Sequence, residues 1–217
     1  MAETYEAVVI GGGLGGLASA ALLAAQQRRV LLLEASDRLG GFQHRFERAG
    51  FSFEPHFHFL QDAAPGRPVR ELLRGLGVEL DFIRLDPVAL FRFAGRDVVV
   101  GNSRAAFIAA LKADFADEAQ GIDALFETSR ALYQALTRRH ASPLLAQHAG
   151  DTMAVFAARF IRDQKLQAIV SAWSAYFGYG SAHIAAFAII VFSEACWDGG
   201  IHHPVGGIAS VVSALQA

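Results

Sequence analysis

The sequence predicts an α/β fold in which a Rossmann-like βαβ unit, with an incomplete parallel sheet, is interrupted by an inserted hairpin and a run of helices. Three observations lead to this prediction. An apolar run at residues 8–10 enters a glycine turn and then a helix of small residues. A second apolar run at residues 30–33 follows that helix and ends at Glu34. Beyond residue 102 the chain reads as successive capped helices, and no further strand–helix repeat follows.

The glycine turn has the pattern of a dinucleotide-binding fingerprint. Gly11, Gly13 and Gly16 stand in the G-x-G-x-x-G register. The first glycine permits a tight turn, the second leaves room for a pyrophosphate against bare backbone, and the third lets helix and strand pack closely. The phosphates would then lie at the helix N-terminus, where free N–H groups and the helix dipole favour an anion. Glycine turns also serve plain strand-to-helix packing, so the context of the motif decides.

Glu34 supplies that context. It stands 18 residues after Gly16, at the end of the second predicted strand. In such units a carboxylate at this place accepts hydrogen bonds from the adenosine ribose hydroxyls. It would also repel a 2′-phosphate, which disfavours NADP. The alternative interpretation is an ordinary charge at the end of a strand.

The stretch after Glu34, Ala35-Ser36-Asp37-Arg38-Leu39-Gly40-Gly41-Phe42, contains an R-x-G-G turn. It resembles the FAD-binding start of the phytoene desaturase, carotenoid isomerase and retinol saturase group of flavoproteins, which are relatives of the amine oxidases. The resemblance implies FAD as cofactor, with Gly40 and Gly41 near the phosphate and ribitol side of the flavin and Arg38 beside them. Phe42 stands where amine oxidases usually carry arginine, which favours the carotenoid-type branch.

An aromatic segment at residues 50–59 contains His56 and His58. In the resembling family this segment returns toward the flavin, which implies that one histidine contacts the flavin or carries a proton. The alternative is a packing strand with half-buried histidines. The two histidines would share a strand face, but no further ligand at a recognisable spacing supports a metal site, so none is expected.

A second glycine-rich stretch, residues 199–208, precedes the last predicted helix. It resembles the family's G-x-x-Y-P-x-G-G turn, which lies close to the flavin. Here His203 stands where a tyrosine is common, and it joins His56 and His58 as a candidate catalytic residue. The alternative is a plain loop leading into a helix. The candidate cofactor-binding residues are Gly11, Gly13, Leu14, Gly15, Gly16, Glu34, Ala35, Arg38, Gly40, Gly41, Pro204, Gly206 and Gly207.

The predicted organisation has three segments. Residues 1–66 form an FAD-binding Rossmann-like segment, residues 67–198 a mostly helical substrate or cap domain, and residues 199–217 a return loop and helix toward the flavin. The middle segment begins with a short amphipathic helix at residues 69–76, and a hairpin follows at residues 86–101. Helices follow, one capped by Asn102 or Ser103 and another by Asp151. Their many phenylalanines either line a pocket for a long apolar substrate or form an ordinary helical core.

Composition and charge exclude several classes of protein. The net charge of the 217 residues is −2 and no cluster of lysine and arginine occurs, so a nucleic-acid partner is not expected. The one cysteine, Cys196, excludes an internal disulfide framework and fits a reducing compartment. The first strand begins almost at once, without a signal peptide, so we expect a cytoplasmic protein.

The longest apolar run, residues 184–192, has roughly half of the length that a membrane-spanning helix needs. Contact with a membrane surface stays open, although no basic face accompanies the apolar helices.

The resembling proteins continue well beyond the equivalent of residue 217. Two parallel strands and a return strand cannot bury both faces of a Rossmann sheet. We therefore expect a second polypeptide to supply the missing half of the fold. The predicted function is that of an FAD-binding subunit of an oxidoreductase with desaturase-, saturase- or isomerase-like hydride chemistry on an apolar substrate. The alternatives are a non-catalytic cofactor-binding subunit and a truncated flavoprotein with a structural role. An NAD-dependent dehydrogenase is disfavoured by Gly40 and Gly41.

Overall fold

A computed structural model of the chain describes residues 3–57, 59–93 and 95–216, so His58 lies outside the described residues. The chain forms two compact units. The first consists of Met1–Leu85 and Gly199–Ala217, and the second is the insertion Asp86–Asp198. The prediction of an α/β fold with a Rossmann-like unit and an inserted hairpin and helices is confirmed. The predicted boundary after residue 66 differs from this division, which keeps residues 67–85 in the first unit.

The first unit contains seven strands and three helices within the described residues. In chain order these are β1 (Ala7–Ile10), α1 (Leu14–Ala25), β2 (Val30–Leu33), β3 (Phe46–Arg48), β4 (Phe51–Phe53), β5 (Leu60–Gln61), α2 (Pro68–Gly75), β6 (Phe82–Arg84), β9 (Ile201–Pro204) and α10 (Ile208–Gln216). Strands β1 and β2 are parallel, with Ala7 opposite Val30 and Ile10 opposite Leu33. Helix α1 joins them and packs against α10. The βαβ unit therefore forms where the fingerprint predicts it.

One face of the parallel sheet is open. The side chains of Val8 and Ile10 on β1 are 55% and 85% exposed, and Leu33 on β2 is 47% exposed. Because successive side chains of a strand point to opposite faces, Val8 and Ile10 share one face, while Ala7 and Val9 are only partly exposed on the other. Parallel sheets normally have both faces covered. Within the described residues no element covers the face that carries Val8 and Ile10, in agreement with the prediction of an incomplete sheet.

A second sheet in the first unit consists of three antiparallel strands in the order β5-β9-β6. Strand β9 is its middle strand and pairs with Leu60 on one side and with residues 82–84 on the other. The prediction of a return loop and helix at residues 199–217 therefore misses the strand at residues 201–204, whereas the helix is present as α10. Both partner strands lie more than a hundred residues away in the sequence, so no local pattern reveals this pairing. The pairing also explains why residues 67–85 belong to the first unit.

The second unit begins with the predicted hairpin, β7 (Ala89–Phe93) and β8 (Arg96–Val100), whose strands pair antiparallel. Its helices are α3 (Arg104–Asp114), α4 (Ala119–Thr137), α5 (Pro143–His148), α6 (Met153–Ala158), α7 (Gln164–Val170), α8 (Trp173–Tyr176) and α9 (Ala186–Asp198). Helix α9 lies at the centre and packs against α4, α6 and α8. Phe156 and Ile189 are fully buried, so these apolar helices form a core. No helix among the described residues is long and apolar enough to span a bilayer.

The prediction that Asp151 caps a helix is wrong. Thr152 caps α6, because its hydroxyl accepts a hydrogen bond from the Val155 N–H at 3.3 Å. The Asp151 carboxylate is buried and accepts two hydrogen bonds from Arg159, each of 2.7 Å, and pairs with His148 Nδ1 at 2.7 Å. The hydrogen bonds from Arg159 lower the pKa of Asp151. A buried carboxylate needs partners of this kind. For Asp151 they are His148, which precedes it in the chain, and Arg159, which follows it.

Candidate functional site

The glycine turn that follows β1 has the geometry of a fingerprint. Helix α1 begins at Leu14, with Gly13 as its N-cap and no side chain bonded to the helix end. A Cβ atom at Gly16 would collide with the carbonyl oxygen of Gly11, so only glycine allows this approach of helix and turn. A Cβ atom at Gly13 would meet nothing within 4 Å. The space at Gly13 is therefore open, in front of backbone groups that suit an anion.

The N–H groups at the start of α1 are available to a ligand, because no side chain caps this end of the helix. The first turn of α1, which includes Leu14, Gly15 and Gly16, contains no acidic residue. The first N–H groups of an α-helix have no partner inside the helix, and the dipole makes that end positive. This end of α1 is suited to bind a phosphate without a basic side chain.

Glu34 lies directly beside the turn. One carboxylate oxygen accepts a hydrogen bond from the Gly12 N–H at 2.6 Å, and the other accepts from the N–H and hydroxyl of Ser36 at 2.9 and 3.0 Å. The backbone hydrogen bonds from Ser36 and Gly12 lower the pKa of Glu34. The carboxylate is therefore ionised at neutral pH and keeps lone pairs for further donors.

A cleft of about 480 Å³ extends from Glu34. Its lining includes Ser36, Arg38, His44, Arg45 and Ser213, together with apolar side chains of α10. The cleft therefore combines the ionised carboxylate with hydroxyl, imidazole and guanidinium groups. Such a lining suits a polar group that carries hydroxyls, as an adenosine ribose does. Ala35 is not part of this lining.

The second glycine pair lies against the first glycine turn. The Gly40 N–H donates to the Gly12 carbonyl oxygen at 2.7 Å, and Gly13 and Gly40 form a parallel bridge. A Cβ atom at Gly41 would lie 3.2 Å from the Gly13 Cα. The two glycine motifs, residues 11–16 and residues 40–41, thus form one surface of bare backbone, which we call the cradle. Arg38 is solvent-exposed beside it, 4.0 Å from Asp37.

The P-x-G-G stretch leads into α10, which completes the wall of the cradle. A Cβ atom at Gly40 would lie 3.1 Å from a methyl group of Val212 on α10. Glu54 accepts a hydrogen bond from the Ala209 N–H at 3.2 Å, and a Cβ atom at Gly207 would collide with its carboxylate. The N-terminus of α10 is thus occupied by an internal anion. This role of Glu54 is absent from the sequence analysis, because its partner is 155 residues away.

The predicted histidines do not form one cluster within the described part of the chain. His56 stacks on Phe42 with ring centroids 5.4 Å apart and meets the Phe57 ring edge-on at 4.4 Å. The Gln43 amide is 3.4 Å from His56 Nδ1. His203 lies on β9 opposite Ile83, whereas Pro204 lies opposite Phe82. No three histidine, cysteine or carboxylate side chains among residues 3–57, 59–93 and 95–216 come together as metal ligands.

Residues 14–217 match the family described as flavin containing amine oxidoreductase. The chain belongs to this family. The predicted resemblance to the flavoproteins related to amine oxidases is thereby confirmed, and so is the prediction of FAD as cofactor. The cradle fits FAD, because the space in front of Gly13 at the N-terminus of α1 is open and the ionised carboxylate of Glu34 lies beside it. Membership of the flavin-containing family supports an oxidoreductase.

Individual relatives and structures agree with this assignment. The chain is 44% identical over 68 residues to all-trans-retinol 13,14-reductase of Danio rerio, covering 31% of this chain and 11% of the relative. It is 25% identical over 244 residues to chloroplastic prolycopene isomerase of Daucus carota, covering 99% of this chain and 39% of the relative. An oxidoreductase structure from Methanosarcina mazei superposes with a TM-score of 0.72 at 21% identity, covering 97% of this chain and 48% of that one. The chain thus spans less than half the length of these proteins.

Proposed function

We propose that this chain is the FAD-binding part of an oxidoreductase with desaturase-, saturase- or isomerase-like chemistry on an apolar, polyene or isoprenoid-like substrate. The observation that carries the proposal is the contact between the two glycine motifs, Gly40 against Gly12 and Gly13, beside Glu34. Support for the substrate class comes from the relatives, which are named for retinol and prolycopene, two apolar polyenes. We extend that substrate class to this chain as part of the proposal.

Each part of the cradle has a role in the proposal. The N–H groups at the start of α1 would hold the pyrophosphate, Glu34 would accept hydrogen bonds from the ribose hydroxyls, and Gly40 and Gly41 would adjoin the ribitol side. When bound, FAD supplies the hydride chemistry that amino-acid side chains lack. The chain's own residues bind and orient the cofactor and exclude water. His56, held by Phe42 and Gln43, is the candidate flavin contact.

The Gly13→Ala variant tests the cofactor site. The new methyl group meets no protein atom within 4 Å but occupies the open seat at the helix N-terminus. The backbone at Gly13, with φ −71° and ψ 176°, accommodates alanine. We therefore expect a normal fold and an FAD affinity at least about tenfold weaker, because the methyl group keeps the pyrophosphate too far from the backbone for one charge-assisted hydrogen bond. Flavin fluorescence titration measures the affinity, and circular dichroism checks the fold.

Gly75→Ala provides the matched control for this test. Gly75 ends α2 in the same unit, and its Cβ position is equally open. FAD should bind to this variant as to the unmodified chain. Equal FAD affinity of the Gly13→Ala variant and the unmodified chain would contradict the assignment of the fingerprint.

The proposal includes a second polypeptide that supplies the remaining part of the flavoprotein fold and covers the open face of the parallel sheet. The uncovered side chains of Val8, Ile10 and Leu33 support it, because contiguous exposed apolar surface marks an interaction site. We also propose a cytoplasmic location, for which the single cysteine is the support, with peripheral membrane contact as the route of an apolar substrate.

Purification of the chain from its native source tests the partner. We expect a stoichiometric second polypeptide, identified by mass as a flavoprotein sequence, together with flavin absorption bands. The Ile10→Asp variant should lose that polypeptide, because it places a charge on the open face. Val99→Asp is the control, since Val99 is exposed to a similar degree as Val8 but belongs to the second unit. A solitary monomer that binds FAD tightly would contradict the proposal of a partner.

A further inference from the structure

A cavity of about 610 Å³ lies in the second unit, apart from the cradle proposed for FAD. All the described residues of its lining belong to the insertion Asp86–Asp198. They come from the hairpin β7–β8, from the residue after α3 and from helix α7. The volume falls within the range of about 300–1,000 Å³ that is usual for small-molecule sites. The cavity therefore has room for a small organic ligand.

The walls of this cavity are mostly apolar. Phe93 and Phe115 contribute aromatic rings, and both residues are half-buried. On α7, Ile169 is buried at the edge of the core, and Ala168 is exposed. Removal of such apolar surface from water by an apolar group is favourable. The cavity is thus suited to the hydrocarbon part of a ligand.

One of the two cations in the lining is already paired. Arg96 lies opposite Phe93 in the hairpin, so the two side chains point to the same side of it. The Arg96 guanidinium forms an ion pair with Asp114 and lies over the Phe115 ring, 5.2 Å from its centroid. These contacts fix one wall of the cavity and neutralise the charge on it.

The other cation of the lining is Lys165 on α7, and it is unpaired. Its ammonium group forms no hydrogen bond or ion pair with any residue of the described ranges. The neighbouring carboxylate of Asp163 caps α7, where one of its oxygens accepts from the backbone N–H groups of residues 165 and 166 at 2.8 and 2.9 Å. No acidic residue belongs to the described lining. The cavity therefore has one positive charge available to a ligand, next to the amide of Gln164.

We propose that this cavity binds an amphipathic monocarboxylate, which is an apolar body that ends in one carboxylate. The apolar body lies between Phe93, Phe115 and Ile169. The carboxylate accepts a charge-assisted hydrogen bond from the ammonium of Lys165. Because one cation is available, a head group with a single negative charge matches the site better than a doubly charged phosphate. The inference concerns the second unit alone and does not rest on the proposed function.

Isothermal titration of the full chain with decanoate at neutral pH, below its micelle-forming concentration, tests the site. Decanol and decyltrimethylammonium have the same chain, with no charge and with a positive charge. We expect decanoate to bind at least about tenfold more tightly than decanol, because only its head group makes a charge-assisted hydrogen bond with Lys165. Decyltrimethylammonium should bind most weakly. The NMR signals of the Ile169 methyl groups should shift when decanoate binds, which locates the ligand in the cavity.

Two variants separate the contribution of the charge from that of the cavity. Lys165→Gln should weaken decanoate binding at least about tenfold and leave decanol binding unchanged. Ala168→Leu places a larger side chain in the cavity and should weaken the binding of both ligands. Both residues are exposed, so we expect both variants to fold normally.

Arg138→Gln is the matched control for the loss of a positive charge. Arg138 is exposed at the end of α4, in the same unit, and is not part of the described lining. Its replacement should leave the preference for decanoate unchanged. Equal binding of decanoate and decanol, or no binding of either, overturns the proposal. A preference for decanoate that survives Lys165→Gln, or binding that leaves the Ile169 signals in place, overturns it as well.

Discussion

Replacing Gly16 by alanine should destabilise the first unit and abolish FAD binding. The added methyl group collides with the carbonyl oxygen of Gly11, a backbone atom that cannot rotate away. Helix α1 would have to move off the turn, and the cradle at Gly13 would open with it. Overpacking of this kind costs about 1–3 kcal/mol, and we expect about 2 kcal/mol here, since alanine also favours the helix. Urea denaturation followed by circular dichroism measures the loss.

Gly15→Ala gives the matched comparison for this prediction. Gly15 is the preceding residue of the same helix, and a Cβ atom there meets nothing within 4 Å. Alanine should therefore keep or slightly raise the free energy of unfolding, by at most about 1 kcal/mol. If Gly16→Ala behaved like Gly15→Ala, the close approach of helix and turn would not be a requirement of the fold.

Replacing Glu194 by alanine should destabilise the second unit most strongly. The Glu194 side chain is 1% exposed within the core helix α9. Both of its oxygens accept from Arg104 Nε at 3.1 Å, and one also accepts from Arg130 at 3.4 Å. Burial raises the pKa of Glu194, and the charges of Arg104 and Arg130 oppose that rise. Removal of one partner from a buried ion pair costs about 3–5 kcal/mol, because the remaining charges lose their counter-charge.

Glu194→Gln separates charge from packing in the same position. It keeps the shape and the hydrogen-bonding oxygen but not the charge, so its loss of unfolding free energy should be smaller than that of Glu194→Ala. Glu71→Ala is the surface control. That residue pairs with Arg74 in solvent, and its loss should leave thermal unfolding nearly unchanged. Equal melting temperatures for Glu194→Ala and the unmodified chain would show that the buried cluster adds nothing to stability.

The sequence predicts those parts of the site that depend on local geometry. Gly11, Gly13 and Gly16 are recognisable because a strand, a turn and a helix succeed each other within a few residues. Glu34 is recognisable from its spacing to that turn. Gly40 and Gly41 required the resemblance to a family, since their contact with Gly12 and Gly13 is tertiary.

The residues that sequence reasoning missed have their partners far away in the chain. Glu54 belongs to the aromatic segment that the resemblance places near the flavin, yet its carboxylate binds the start of α10. Glu194 reads as a polar position of an apolar helix, and only the approach of α3 and α4 makes it a buried anion. His203 was selected because it stands where the family's turn commonly has a tyrosine. In the structure the pairing of β9 with β5 and β6 buries its neighbour His202, whereas His203 is only partly buried.

The place of β9 between β5 and β6 also sets an order of events for the growing polypeptide. Both outer strands precede Asp86–Asp198 in the chain, and β9, the strand that pairs with each of them, follows it. Closure of so long a loop has an entropic cost that falls when the intervening residues are already compact. We therefore expect the inserted helices to fold first and the three-stranded sheet to form last. The hydrogen bond from the Leu85 N–H to the Ile201 carbonyl oxygen, 2.9 Å long, joins the two parts of the first unit, and we expect it to form in this last step.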